Sequence, residues 1–196
     1  MFEPAETEAD VLKIAVSLPR REAVSNGDFI PLEKLEVSLS EGARFDAVFV
    51  SGLSPEQSQS LAQRCADLDV DLIVFESPSN HVSAIEDVVI NMTDKLFSDE
   101  MPDNIDLIDI RYINQCSDCL FAFNNKASAL YFLEEQDLGS VIGGVYLAHG
   151  NTELTEFETT NSELLNHFSD SGFLCSSFHY FGRSECTILL GIKRGG

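Results

Sequence analysis

Apolar residues fall in short runs separated by polar stretches bearing glycine or proline, and the period of those runs changes along the chain. Val11 to Leu18 is almost unbroken and stops at Pro19, which predicts a buried strand. Phe45 to Val50, bounded by Gly52, predicts a second, and Leu72 to Phe75, ended by Ser77-Pro78-Ser79, a third. Between the last two lies Ser54-Pro55-Glu56, a serine cap with proline at the first helical position, so a helix is expected to about Asp67. Strand, helix, strand over about 30 residues is the unit of a parallel sheet with a crossover helix. The stretch from Arg20 to Gly42 mixes Pro, Gly, Asn and Ser with little periodicity and predicts no regular element.

From Ser83 to Phe97 the spacing becomes helical. Ile85, Val88, Val89, Met92 and Leu96 form one apolar stripe, and Ser83 followed by Glu86 has the form of a capping box. Beyond it the pattern predicts strand (106–113), strand (119–123), helix (126–136), strand (141–148), helix (157–169), strand (173–180) and strand (185–192). These elements suggest a separate sheet covered on one face, closed by a hairpin turning at Gly182. The fold class expected is α/β: a truncated Rossmann-like parallel sheet layer, then a core helix, then a two-layer α/β sandwich.

Composition narrows the function. The chain has 196 residues, with 33 acidic against 12 basic side chains and a formal charge of −21. That charge repels phosphate backbones and anionic membrane surfaces, so neither nucleic acid nor a membrane is an expected partner. No apolar run approaches the roughly 18 to 20 residues needed to span a bilayer and no secretory leader is evident, which predicts a cytoplasmic protein. Residues 1–10 read as a frayed acidic arm.

Two motifs carry candidate chemistry. Asn104-Ile-Asp106-Leu-Ile-Asp109 places two carboxylates three residues apart behind an asparagine; the plain alternative is a strand-entry turn with solvated acids. Cys116-Ser-Asp-Cys119 has a redox or metal spacing, but it runs into apolar Leu120-Phe-Ala-Phe123, and Cys175, His179 and Cys186 do not supply a tight second pair of zinc ligands. Structural burial is the expectation for all five cysteines. His149 reads as a surface or cap residue, and His167 and His179 as packing residues. Glu153, Glu156 and Glu158 read as the acidic start of a helix.

In this order the motifs resemble the FtsZ/tubulin family. Asn104-Ile-Asp106-Leu-Ile-Asp109 matches the family's catalytic-loop pattern Asn-x-Asp-x-x-Asp without a gap, and the stretch from Val145 to Glu158 is similar to its strand, glycine turn and helix start. The similarity covers residues 83 to 192. It implies a reduced, degenerate GTPase-like domain over 1–80, a connecting core helix over 81–103 and a family-like C-terminal domain over 104–196. Where FtsZ carries Gly-Gly-Gly-Thr-Gly-Thr-Gly, however, this chain has Gly52-Leu-Ser-Pro-Glu-Gln-Ser58. Pro55 removes a donor and Glu56 adds negative charge where a phosphate cradle needs consecutive N–H groups, so no nucleotide, other cofactor or metal is expected.

In the family, the nucleotide of one subunit is met by the Asn-x-Asp-x-x-Asp loop of the next. The resemblance therefore implies that Asn104, Asp106 and Asp109 would serve catalysis only in trans, on a partner's nucleotide. The chain stops at Lys193-Arg194-Gly195-Gly196, without the family's linker and tether peptide, which implies no membrane recruitment by that route. Three functions follow: a non-enzymatic pseudo-GTPase that binds FtsZ or an FtsZ-like protein and modulates or caps assembly; a self-assembling scaffold or adaptor without nucleotide chemistry; and a redox or metal protein using Cys116 and Cys119.

Overall fold

The computed structural model describes residues 11–79, 81–98 and 105–195, so the acidic arm over residues 1–10 and Asn104 lie outside the described residues. Three of the apolar runs form parallel strands: β1 (Ile14–Ser17), β3 (Ala47–Val50) and β4 (Asp71–Glu76). Every residue of β1 and β3 is buried because helices cover both faces, which is why these runs do not alternate. The stretch without periodicity holds two elements that the pattern did not reveal, β2 (Asp28–Phe29) and α1 (Leu32–Ser40). Only Leu35 and Leu39 of α1 are fully buried, and its Val37 is exposed, so the stripe is too narrow to read. Helix α2 (Pro55–Leu68) begins at Ser54 as expected.

Helix α3 (Val82–Leu96) is the central element, with ten buried residues. The expected Ser83 box is absent. The helix starts one residue earlier, with His81 at the cap and no side-chain cap bond, and Glu86 is instead 7% exposed beside Arg21 (3.3 Å) and Arg20 (3.6 Å). A larger correction concerns residues 106–113. They form not a strand but helix α4 (Leu107–Cys116), whose buried residues Leu107, Ile110 and Ile113 recur at every third position. The pattern predicts a strand there; the spacing of the residues that pack decides for a helix.

The remainder is β5 (Cys119–Phe123), α5 (Lys126–Glu135), β6 (Gly139–His149), α6 (Leu154–Leu165), β7 (Phe168–His179) and β8 (Cys186–Arg194). Helix α6 starts three residues earlier than expected and yields to β7 by Phe168. These strands do not make a separate sheet. β5 pairs parallel with β4 at Phe75↔Leu120 and Glu76↔Phe121, giving one eight-stranded sheet in the order β2-β1-β3-β4-β5-β8-β6-β7. Nor do β7 and β8 form a hairpin about Gly182, because β6 lies between them and pairs with both.

The fold is mixed α/β, in accord with the sequence. Helices α3 and α4 cover one face along most of the sheet, and one apolar cluster joins Ile14, Phe49 and Phe75 of the first strands to Leu120, Leu147 and Leu189 of the later ones. On the opposite face α1 and α2 pack on the first half and α5 and α6 on the second. Among the described residues no helix is long and apolar enough to cross a membrane.

Candidate functional site

The two aspartates of the motif lie at the start of α4, where they hold each other. Asp106 is the N-cap: its Oδ1 accepts from the backbone N–H of Asp109 at 3.1 Å, and Asp109 Oδ2 accepts from that of Asp106 at 3.0 Å. A carboxylate pair fits this place because the first turn of a helix leaves N–H groups unpaired and carries partial positive charge. Asp106 is exposed and Asp109 half-buried. The Cys175 thiol lies beside the pair, and burial, and then the negative charge of Asp109, push it up to about 12. The helix is anchored by Arg111, bonded to Asp71, and by Asn114 Nδ2, which donates to Leu72 O at 3.0 Å.

Around the carboxylates α4 is apolar and open: Ile108 is 64% and Tyr112 55% exposed, the latter with its ring 5.2 Å from that of Phe173 on β7. This combination of solvent-facing acid and exposed apolar side chains suits contact with another macromolecule better than a small substrate. Replacing Asp106 by alanine removes the cap and should cost about 1 kcal/mol of stability, read by urea denaturation against the parent chain.

The glycine-poor turn before α2 is a second candidate. Gly52 has φ +77°, and a Cβ there would lie 2.6 Å from Pro19 Cγ, so this one glycine is required by the fold. The helix start that follows uses its own donors. Pro55 has none, Gln57 N–H donates to Ser54 Oγ at 3.2 Å, Ser58 N–H donates to Ser54 O at 2.9 Å, and Gln57 Oε1 accepts from Ser54 N–H at 2.9 Å. Of the first turn the Glu56 N–H is left, and Glu56 adds a negative charge to that turn. A helix N-terminus so occupied offers little to a phosphate.

Cys116 lies in the last turn of α4 and Cys119 is 6% exposed in β5. Burial pushes the Cys119 thiol up, away from the thiolate that metal binding or redox exchange requires. Among the described residues no three His, Cys, Asp or Glu side chains converge as metal ligands.

Sequence reading missed a buried polar network behind these sites. His149 is not a surface residue but 7% exposed, with Nδ1 3.2 Å from Ser184 O and Nε2 3.1 Å from Thr187 Oγ1. Thr187 Oγ1 also accepts from Asn91 Nδ2 of α3 at 3.0 Å. The available signal was polar residues inside apolar runs, Asn91 between Ile90 and Met92 and Thr187 before Ile188-Leu-Leu190. Burial lowers the His149 pKa below the ordinary histidine value. The unfolded chain therefore takes up this proton first, and stability should fall as pH drops through about 6.5 toward the folded-state value. Urea denaturation at several pH values should show this slope, and His149→Gln should flatten it.

No family model and no curated protein sequence matches the chain. Among solved structures, CetZ from Methanosaeta thermophila strain DSM 6194 superposes with a TM-score of 0.51 at 12% identity, over 83% of this chain and 67% of that one. A point mutant of FtsZ from M. jannaschii gives 0.46 at 14% identity, over 81% and 58% of the two chains. An empty FtsZ dimer from M. jannaschii gives 0.47 at 12%, over 82% and 57%. The chain thus spans less than three fifths of the length of these FtsZ chains.

Proposed function

From the fold shared with the FtsZ/tubulin family, we propose that this chain is a non-enzymatic pseudo-GTPase that binds an FtsZ-type filament through the N-terminus of α4 and modulates or caps its assembly. The observation that carries the reading is an asymmetry of donors. The α2 start, where a phosphate would be cradled, consumes its N–H groups on Ser54 and Gln57 and adds Pro55 and Glu56. The α4 start keeps Asp106 exposed and Asp109 half-buried, flanked by exposed Ile108 and Tyr112. In this reading Asn104, Asp106 and Asp109 meet the nucleotide of a partner subunit, where positioning and electrostatics govern phosphoryl transfer, and the chain offers the next subunit no nucleotide in return. Growth stops there.

Mixing the purified chain with FtsZ and GTP, and following light scattering and phosphate release, tests this. Substoichiometric chain should shorten or slow assembly; no binding and no change at equimolar chain would refute it. The alternative, a self-assembling scaffold, is favoured by one feature: β7 is a twelve-residue strand at the rim of the sheet that carries a single acid, Asp170, in a chain of charge −21. An open strand of this kind can pair with another. Sedimentation across a concentration series separates the two, since self-association without FtsZ belongs to the scaffold alone.

A further inference from the structure

At the carboxyl end of the parallel strands lies a crevice that the preceding function does not use. The chain leaves β1 toward β2 on one side, and β3 lies on the other side of β1. Such a divergence opens a ligand-sized space above the strand ends in α/β sheets. Here the space is about 420 Å³ and straddles the sheet, with Pro55 and Ser58 of α2 on one side and Val82 and Ile85 of α3 on the other. Its volume is that of a small-molecule site.

Two observations give it a chemistry. Ser51, which lines the crevice, is 1% exposed, and its hydroxyl has no hydrogen-bond partner among the described residues; neither has that of Ser17, equally buried, whose carbonyl accepts from Ser51 N–H at 3.3 Å. A buried hydroxyl left unbonded is costly, and the residue that carries this one lines a space that a ligand can enter. The charged side chain in the wall is acidic, Glu76; among the described residues no Lys, Arg or His lines the space, and the adjoining α2 start has spent its donors internally. The remaining wall is largely apolar, with Leu53, Val74 and Phe75 beside Val82 and Ile85.

We propose that this crevice binds a small amphipathic ammonium compound, its apolar body against Val74, Val82 and Ile85, its charge offset by Glu76 and a polar hydrogen taken by the Ser51 hydroxyl. Anions are disfavoured there by the Glu76 carboxylate. The site is independent of the α4 surface and of any filament.

Phenethylammonium, 2-phenylethanol and phenylacetate share one apolar body and differ in head group, so amide-detected NMR titration of the full chain with each reads the head-group preference directly. Phenethylammonium should saturably shift the Gly52, Leu53 and Val82 amides with about millimolar affinity, the range for a ligand of this size. It should bind about fivefold tighter than the alcohol, and phenylacetate should not bind. Glu76→Gln, at an exposed position, should equalise the ammonium and the alcohol, and Ser51→Ala should weaken both about tenfold. The proposal is overturned if none of the three probes shifts these amides, if phenylacetate binds best, if the shifts spread over the acidic surface instead of the crevice, or if Glu76→Gln leaves the preference intact.

Discussion

Replacing Asn91 by leucine should lower the unfolding free energy by about 2 to 4 kcal/mol. Asn91 is fully buried on α3 and ties that helix to the connection between β7 and β8. Its Nδ2 donates to Arg183 O and to Thr187 Oγ1, both at 3.0 Å, while its Oδ1 accepts from Arg183 N–H at 2.8 Å. Leucine keeps the branched heavy-atom skeleton and is larger, so no cavity opens and its two methyl groups add some overpacking. What remains is the cost of stranded groups. Thr187 is wholly buried and loses a donor outright, whereas Arg183 is exposed and water can reach its backbone, which keeps the sum below three full penalties. Urea denaturation measures it, with Asn91→Asp as a comparator that keeps an acceptor for Arg183 N–H and lacks the amide donor. A loss under about 0.5 kcal/mol would mean the network does not hold the connection in place.

The second large effect is functional. Changing Asp106 and Asp109 together to asparagine should reduce the chain's influence on GTP hydrolysis by FtsZ about tenfold or more, equivalent to about 1.4 kcal/mol of transition-state stabilisation, while binding to FtsZ changes less than about threefold. Asparagine is the informative replacement because it caps a helix about as well as aspartate, so α4 keeps its start while both negative charges disappear. Alanine would confound lost charge with a frayed helix. Phosphate release and filament co-sedimentation, measured on the same preparations, separate the two quantities. Equal loss of binding and hydrolysis would assign the aspartates to adhesion alone, and no change in either would leave them as caps.

Legibility tracked burial. The strands β1 and β3 are readable because both faces are covered and nearly every residue is apolar, and β4 because Leu72 to Phe75 is an apolar run. Helix α2 was readable because its cap is written in three consecutive residues, Ser54-Pro55-Glu56. Helix α4 was not, since Ile108 and Tyr112 sit exposed among the packed positions and blur the three-residue spacing of Leu107, Ile110 and Ile113. For the candidate site, the motif singles out Asp106 and Asp109 but not their conformation: their mutual hydrogen bonds depend on a helix where the pattern predicts a strand. The crevice at Ser51 was invisible for a different reason. A serine without a partner is a property of three-dimensional surroundings, and nothing in Val50-Ser51-Gly52 announces it.

The span of α3 across the sheet has a consequence for dissecting the molecule. Residues 105–195 expressed alone would bring Leu120, Leu147 and Leu189 into water on the side that α3 now shields, and residues 11–79 alone would do the same to Ile14, Phe49 and Phe75. Each fragment would be a half-clad slab inclined to aggregate. The two segments are therefore interdependent in stability: melting should occur as one transition, and a lesion in either should be felt in the other.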